Sequence, residues 1–243
     1  MYAINKITYN LASQNTSDMK MYAVVTGDIK NFTKLPGDRR GKLVVETELL
    51  MRKMVKHPKD AQVFRGDSYQ LLTEDVTQVL KKCIRLVCWF KLNSDRISLG
   101  ENGTKKDSRV HLGTRLSIGI GEIAYEGKNV LDSDGEAFHL SGRNFDILNK
   151  DEIIRLTTFD EQRNEVYEVI LIFINSIMKT WTPSQAETIF ELLEKDDNTQ
   201  DKIAKKLKMT QPAIASSLRA ARWKEVEKGI NYITKELEKQ YFL

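Results

Sequence analysis

Apolar positions fall into runs and rhythms that assign most of this chain to elements. Met21 to Thr26 is a largely apolar run of strand length that stops at Gly27 and Asp28, and it reads as a buried strand. "PGDRR" (Pro36 to Arg40) is a turn with helix-start character. Leu43, Thr47, Leu50, Met51, Met54 and Val55 then recur at three and four, an amphipathic helix ending near "HPKD". "AQVFRG" and "DSYQLLTE" predict two short strands joined at Gly66-Asp67 as a hairpin. Helical period resumes with Val76, Val79, Leu80, Cys83, Ile84, Val87 and Phe90. Leu92 to Arg109 is polar and glycine-bearing, and is expected to be a mobile loop. "VHLGTRLSIGIGEIAYEG" predicts a long strand in which Gly119 and Gly121 alternate with Ile118, Ile120 and Ile123. Glycines so placed thin one face of a sheet, which is useful where something must approach the backbone. "DSDGEAFHLSGRNFDILNK" reads as a loop feeding a helix, and "IIRLTT" as a strand. Strand, helix, hairpin, helix, strand, helix, strand describes an α+β sandwich with an antiparallel sheet under helices.

A long helix follows over about Glu161 to Lys179, with Val166, Ile170, Phe173, Ile174 and Ile177 in period. "TWTPSQ" then marks a boundary, with Thr182 as cap and Pro183 at the first helical position. The chain divides into a leader at 1–20, an α+β domain at 21–160, a connecting helix at 161–180 and an all-α domain at 181–243. The leader is weakly patterned and fits an added strand, a disordered arm or an overlong start. Within the last domain, Thr199 to Leu207 and Gln211 to Trp223 have the rhythm of a helix-turn-helix, with "KMT" as the corner. Ile203, Ala204 and Leu207 face inward from the first helix, and Ile214, Leu218 and Trp223 from the second. Thr210 caps the second.

Composition narrows the class. At 41% apolar and 30% charged, this is an ordinary soluble globular balance. The longest apolar run, Val169 to Ile174, is far below a membrane span, so no membrane partner is expected. The first residues lack a basic region followed by an apolar core, so no export signal is expected. Cys83 and Cys88 suit reduced core thiols, and the expected location is the cytoplasm. No cysteine and histidine cluster has zinc spacing, so no zinc site is expected; His57 and His111 read as structural or solvated. Residues 199–243 hold ten Lys or Arg against five Asp or Glu, a net of +5, while the remainder holds 28 against 29, a net of −1. The basic excess thus sits in the helix-turn-helix region, which points to a polyanion there.

The candidate chemistry lies at two aspartates. Asp28 ends one strand, and Asp67 sits in the turn of a neighbouring hairpin. Carboxylates that converge on one sheet edge repel unless a cation is shared. Magnesium or manganese fits, since magnesium takes one or two carboxylates with phosphate oxygens completing the shell. A cation beyond the metal would stabilise charge in phosphoryl transfer, and Arg143 is the candidate. Lys30 and Lys34 follow Asp28 toward where phosphates would lie, and His139 could donate to a phosphate or ribose. Bland readings stay open beside these. Asp28 could cap its own turn, Arg143 could pair with Glu136 or Asp146, and His139 could be a satisfied wall residue. Arg39 and Arg40 could meet phosphate or solvent at a helix start.

"MKMYAVVTGDIKNFTKLPGDR", "FRGDSYQLL", "TRLSIGIGEI" and "DGEAFHLSGR", in that order, resemble the SatD family of bacterial proteins over nearly the whole chain. More remotely, "GDIKNFTKL" and "RGDSYQLL" resemble class III nucleotidyl cyclases, which implies a palm, ferredoxin-like fold with metal aspartates at Asp28 and Asp67. "RLSIGIGEI" resembles the cyclase strand beside the nucleotide, and "AFHLSGR" the helix carrying an asparagine and, four residues on, a catalytic arginine. Arg143 matches that arginine, whereas His139 stands in place of the asparagine. No lysine-aspartate pair that would read a purine is evident. The likeness implies a purine nucleotide as ligand and a homodimer. The C-terminal helices resemble sigma-factor region 4, which implies double-stranded DNA read by the second helix. On that likeness Thr210, Gln211, Ser216, Ser217 and Arg219 meet the groove, with Lys205, Lys206 and Lys208 near phosphates. A protein-binding or dimerisation module is the alternative there. Three functions follow: a DNA-binding regulator whose cyclase-like domain holds nucleotide or metal, an active nucleotidyl cyclase or transferase, and an interaction protein with a vestigial site.

Overall fold

A computed structural model describes residues 20–99, 106–195 and 197–241. The leader at 1–20 lies outside them except for Lys20. The chain is mixed α+β. β1 (Tyr22–Lys30) runs past the glycine and aspartate that were expected to end it, and α1 (Gly37–Arg52) follows. β2 (Ala61–Phe64) and β3 (Ser68–Thr73) form the hairpin, and α2 (Val79–Leu92) comes next. After a small pair of strands come β6 (Gly113–Gly121), α3 (Glu136–Asp146) and β7 (Ile154–Thr157). The small pair is β4 (Asp95–Leu99) and β5 (Lys106–Val110), antiparallel to each other. It puts strands at both ends of the loop expected from Leu92 to Arg109, whose middle, 100–105, lies outside the described residues. β5 is polar up to Val110, and β4 alternates only at Ile97 and Leu99, too short a run for a strand signal.

Five strands make one sheet in the order β2-β3-β1-β6-β7. All neighbours are antiparallel except β6 and β7. The expected antiparallel sheet is therefore mixed, because α3 carries the chain back over the sheet and returns it parallel. β1 is central and defines two faces. Ala23, Val25 and Ile29 join the main core with Tyr69, Leu71, Leu116, Ile118 and Ile120. On the other face Val24 and Leu72 pack with Ala137 and Phe138 of α3.

The glycines of β6 explain the seating of α3. A Cβ at Gly119 would lie 2.2 Å from the Ala137 carbonyl oxygen and 2.4 Å from the Ser141 nitrogen. What approaches the backbone at this point is a helix of the same chain. Ser141 Oγ completes the contact, 2.7 Å from Thr26 Oγ1 and 3.2 Å from the Ser117 carbonyl oxygen.

α2 is buried over a wide arc, from Val79 through Cys83, Leu86 and Cys88 to Phe90, because it has the sheet on one side and a C-terminal helix on the other. α4 (Glu161–Lys179) lies along the β7 edge, where Asn175 bonds both main-chain groups of Ile154 (3.0 and 2.9 Å). Its buried stripe is Tyr167, Leu171, Ile174, Ile177 and Met178. Val166 and Phe173, expected inward, are 45% and 66% exposed. Apolar residues run most of the way around this helix, so period alone leaves its rotation open; docking of Asn175 sets it.

α5 (Pro183–Leu192) opens with the expected cap, a reciprocal pair in which Thr182 and Gln185 each satisfy the other's main-chain N–H. α6 (Gln200–Leu207), α7 (Gln211–Ala220) and α8 (Trp223–Tyr241) complete the chain. The second helix of the expected pair stops at Ala220, and Trp223 begins α8 after Arg222 takes a positive φ of 53°. Trp89 packs on Phe190 between α2 and α5, with ring centroids 6.1 Å apart. α8 crosses α4 at Gly229, whose missing side chain leaves room for Ile170 and Ile174. One hydrophobic core runs without a break from the sheet through these helices, so the segment expected as a second domain is packed onto the first. No helix among the described residues is long and apolar enough to cross a membrane.

Candidate functional site

Asp28 lies on the α3 side of the sheet, in a cross-strand row with Ser68 of β3 and Arg115 of β6. Asp67 stands one residue before Ser68, and its carbonyl accepts from the Ile29 main-chain N–H at 2.8 Å. The hairpin turn is thereby fastened to the strand that carries Asp28. Arg65 and Gly66 both hold positive φ (52° and 85°), and two left-handed residues in succession reverse the chain tightly enough to present Asp67 at that edge. The two aspartates come from separate segments, Asp28 from β1 and Asp67 from the adjoining hairpin turn.

Arg115 is a member of this site that the sequence reading did not single out. Its Nε donates to Asp28 Oδ2 at 2.9 Å, and its guanidinium lies 5.1 Å from the Phe145 ring centroid. The pair is partly shielded, with Arg115 28% and Asp28 23% exposed at the side chain. Asp28 Oδ1 is buried and has no hydrogen-bond partner among the described residues. A carboxylate oxygen left so, beside one already paired, has the chemistry to accept from a donor or to ligate a cation. The Asp28 main chain is also fixed, since its carbonyl accepts from Thr114 Oγ1 at 2.6 Å, and Thr114 in turn meets the Tyr69 hydroxyl at 2.6 Å.

Lys30 shares this environment. Its ammonium donates to the Lys150 carbonyl at 2.5 Å. Partial burial holds its pKa below the ordinary lysine value, Asp28 pulls the other way, and Arg115 lowers it further. Lys34 is exposed in the turn after β1. Arg143 and His139 are not partners of Asp28. The sheet-facing residues of α3 are Ala137 and Ser141, two positions from each, so His139 and Arg143 turn outward. His139 Nε2 is 3.3 Å from Asp134 Oδ1, both side chains more than half exposed. Arg143 is exposed and makes no hydrogen bond or ion pair among the described residues, neither with Glu136 nor with Asp146.

In the C-terminal helices, Thr210 caps α7 by accepting from Ala213, and Lys208 takes the left-handed conformation that closes α6. Lys205, Lys208, Gln211, Ser216 and Arg219 are exposed. Gln211 donates to Gln200 Oε1 at 2.7 Å, which ties the starts of α6 and α7. Lys206 is engaged inside the protein by Glu191 and by Glu194 at 2.7 Å. Ser217 faces α5, with its hydroxyl 3.0 Å from Thr188 Oγ1. Lys206, Thr210, Gln211 and Ser217 thus make intramolecular contacts, while Lys205, Lys208, Ser216 and Arg219 lie on open surface.

Among the described residues no cluster of three or more His, Cys, Asp or Glu side chains has metal-holding geometry. A metal at the Asp28 edge would have two carboxylates, one of them already paired with Arg115. That donor set suits a cation whose remaining ligands are phosphate oxygens and water. No protein-family model matches the chain, and no curated protein matches it.

Proposed function

We propose that this chain is a regulator: its palm-type α+β part holds a purine nucleotide through a divalent cation at the Asp28-Asp67 edge, and α6 and α7 contact double-stranded DNA as a helix-turn-helix. The observation that carries this reading is the buried, unpartnered Oδ1 of Asp28 beside the hairpin turn that presents Asp67. Magnesium or manganese bound there would screen the phosphate charge, with Lys30 and Lys34 on the approach. The order β2-β3-β1-β6, with helices following β1 and β3, is that of a split βαβ pair and supports the palm reading. The exposed Lys205, Lys208 and Arg219, in a segment of net +5, support the DNA contact.

One observation favours a second reading. Arg143 is exposed, unpaired and turned away from Asp28 of its own chain. Nucleotidyl transfer would require a second copy to bring Arg143 and His139 against that edge. Calorimetric titration with ATP and GTP, with magnesium or manganese, tests binding. It should show metal-dependent affinity that falls at least tenfold in Asp28→Asn and Asp67→Asn. Product chromatography on the same mixtures separates binding from turnover. Wild-type protein that ignores both nucleotides with metal present would remove the reading.

A further inference from the structure

A second concentration of charge lies away from the Asp28 edge, where the C-terminal helices meet the α+β part. α2 contributes Lys81, Lys82 and Arg85 to a cleft of about 310 Å³, the segment after α1 contributes Lys53, and the segment after α5 contributes Lys195. Among the described residues its carboxylates are Asp75 and Glu194, set against five cations, of which Lys81 is already engaged within the protein.

The two inner cations are built into the wall. Lys82 is 17% exposed at the side chain; its ammonium donates to Thr73 Oγ1 at 2.8 Å and stands 3.7 Å from Asp75. Arg85 is 14% exposed, with its guanidinium 4.5 Å from the Phe190 ring centroid and 3.5 Å from Glu194. Glu194 is shared, since Lys206 binds it more closely at 2.7 Å. Arg85 Nε is buried with no hydrogen-bond partner among the described residues. A guanidinium donor shut away from water without an acceptor is costly. Burial also holds both Lys82 and Arg85 below their ordinary pKa ranges, against the opposing pull of Asp75 on Lys82 and of Glu194 and Glu191 on Arg85. A solvated lysine face would have its cations outside and hydrated. Here two are walled in, and three more stand at the rim.

We propose that this cleft is a binding site for a small soluble di- or triphosphate, held by Lys82 and Arg85 at its floor and by Lys53, Lys81 and Lys195 around its mouth. Guanidinium and ammonium donors converging on a concavity of this size match a compact polyanion. An occupant would touch α2 and the end of α5 together, and so would fasten the C-terminal helices to the α+β part. The site does not depend on the Asp28 edge or on a metal.

Pyrophosphate and tripolyphosphate are the probes, titrated calorimetrically at low salt in EDTA. One equivalent should bind per chain, tripolyphosphate more tightly. Lys82→Gln and Arg85→Gln should each weaken binding at least tenfold. Because Arg85 packs on Phe190, the rim variants Lys53→Gln and Lys195→Gln are made as well, with an expected loss of about three- to tenfold each and unchanged melting temperature. Asp28→Asn should bind the probes as wild type does, which separates this site from the one proposed above. Absence of wild-type binding, or affinity indifferent to the rim variants, would overturn the proposal. So would capture only of duplex DNA or of phosphoinositide vesicles with neither probe bound.

Discussion

At the scale of single residues, the structure turns several chemical features into sharp expectations. Gly119 is the tightest. An alanine methyl there has a carbonyl oxygen and an amide nitrogen of α3 well inside contact distance. Gly119→Ala should destabilise by about 2–4 kcal/mol, because α3 or β6 must shift; thermal or urea unfolding measures it. Cys83 and Cys88 are buried and free, and burial pushes both thiols far above their ordinary pKa. Neither should react with a thiol reagent in the native protein, and both should react once it is unfolded. Asp60 is 8% exposed, and burial raises its carboxyl above the usual range. The folded state then disfavours the carboxylate, so the protonated form gains relative stability as pH falls through the raised value. Asp60→Asn should raise the melting temperature at pH 7 by about 1–3 °C, with the gain shrinking on acidification.

At the scale of elements, local chemistry was legible and long-range pairing was not. The caps at Thr182 and Thr210 stand where the sequence puts them, and Thr199, read as the first residue of its helix, caps it, since a cap is decided within four residues. The Gly66-Asp67 turn is equally local. By contrast, Arg115 meets Asp28 from 87 positions away. Only the register of β1 against β6 makes them opposite, and no period or motif encodes that register. The glycines of β6 announced a close approach without naming the occupant, which is α3. The rotation of α4 is open for a related reason: from Val166 to Ile174 only Glu168 interrupts the apolar run, which gives the period several solutions. β4 and β5 escape the sequence reading because β5 is polar almost throughout and the alternation of β4 covers only Ile97 and Leu99. Arg115 also yields a test. Arg115→Met should leave the partly shielded Asp28 without its ion-pair partner and destabilise by about 1–3 kcal/mol, whereas Asp28→Asn with Arg115 intact should cost less. Unfolding curves of the two variants compare them.

At the scale of the whole molecule, one core runs from the sheet through the C-terminal helices, so events at either end act on a shared body. The open surface of α6 and α7 keeps Lys205, Lys208 and Arg219 available, while Lys206 is consumed internally. A duplex engaged by those three side chains should show log affinity falling with log salt at a slope of about −3, and Arg219→Gln should flatten it by about one unit. The central claim concerns the other end of the molecule, where one carboxylate from β1 and one from the β2-β3 turn are to share one ion. Electron paramagnetic titration of manganese in the presence of a nucleoside triphosphate addresses it directly. The account predicts one tight manganese per chain, lost in Asp28→Asn and Asp67→Asn alike, with the double substitution little worse than either single one because both remove the same ion. Manganese retained at full affinity in Asp67→Asn, or losses that simply add, would contradict it.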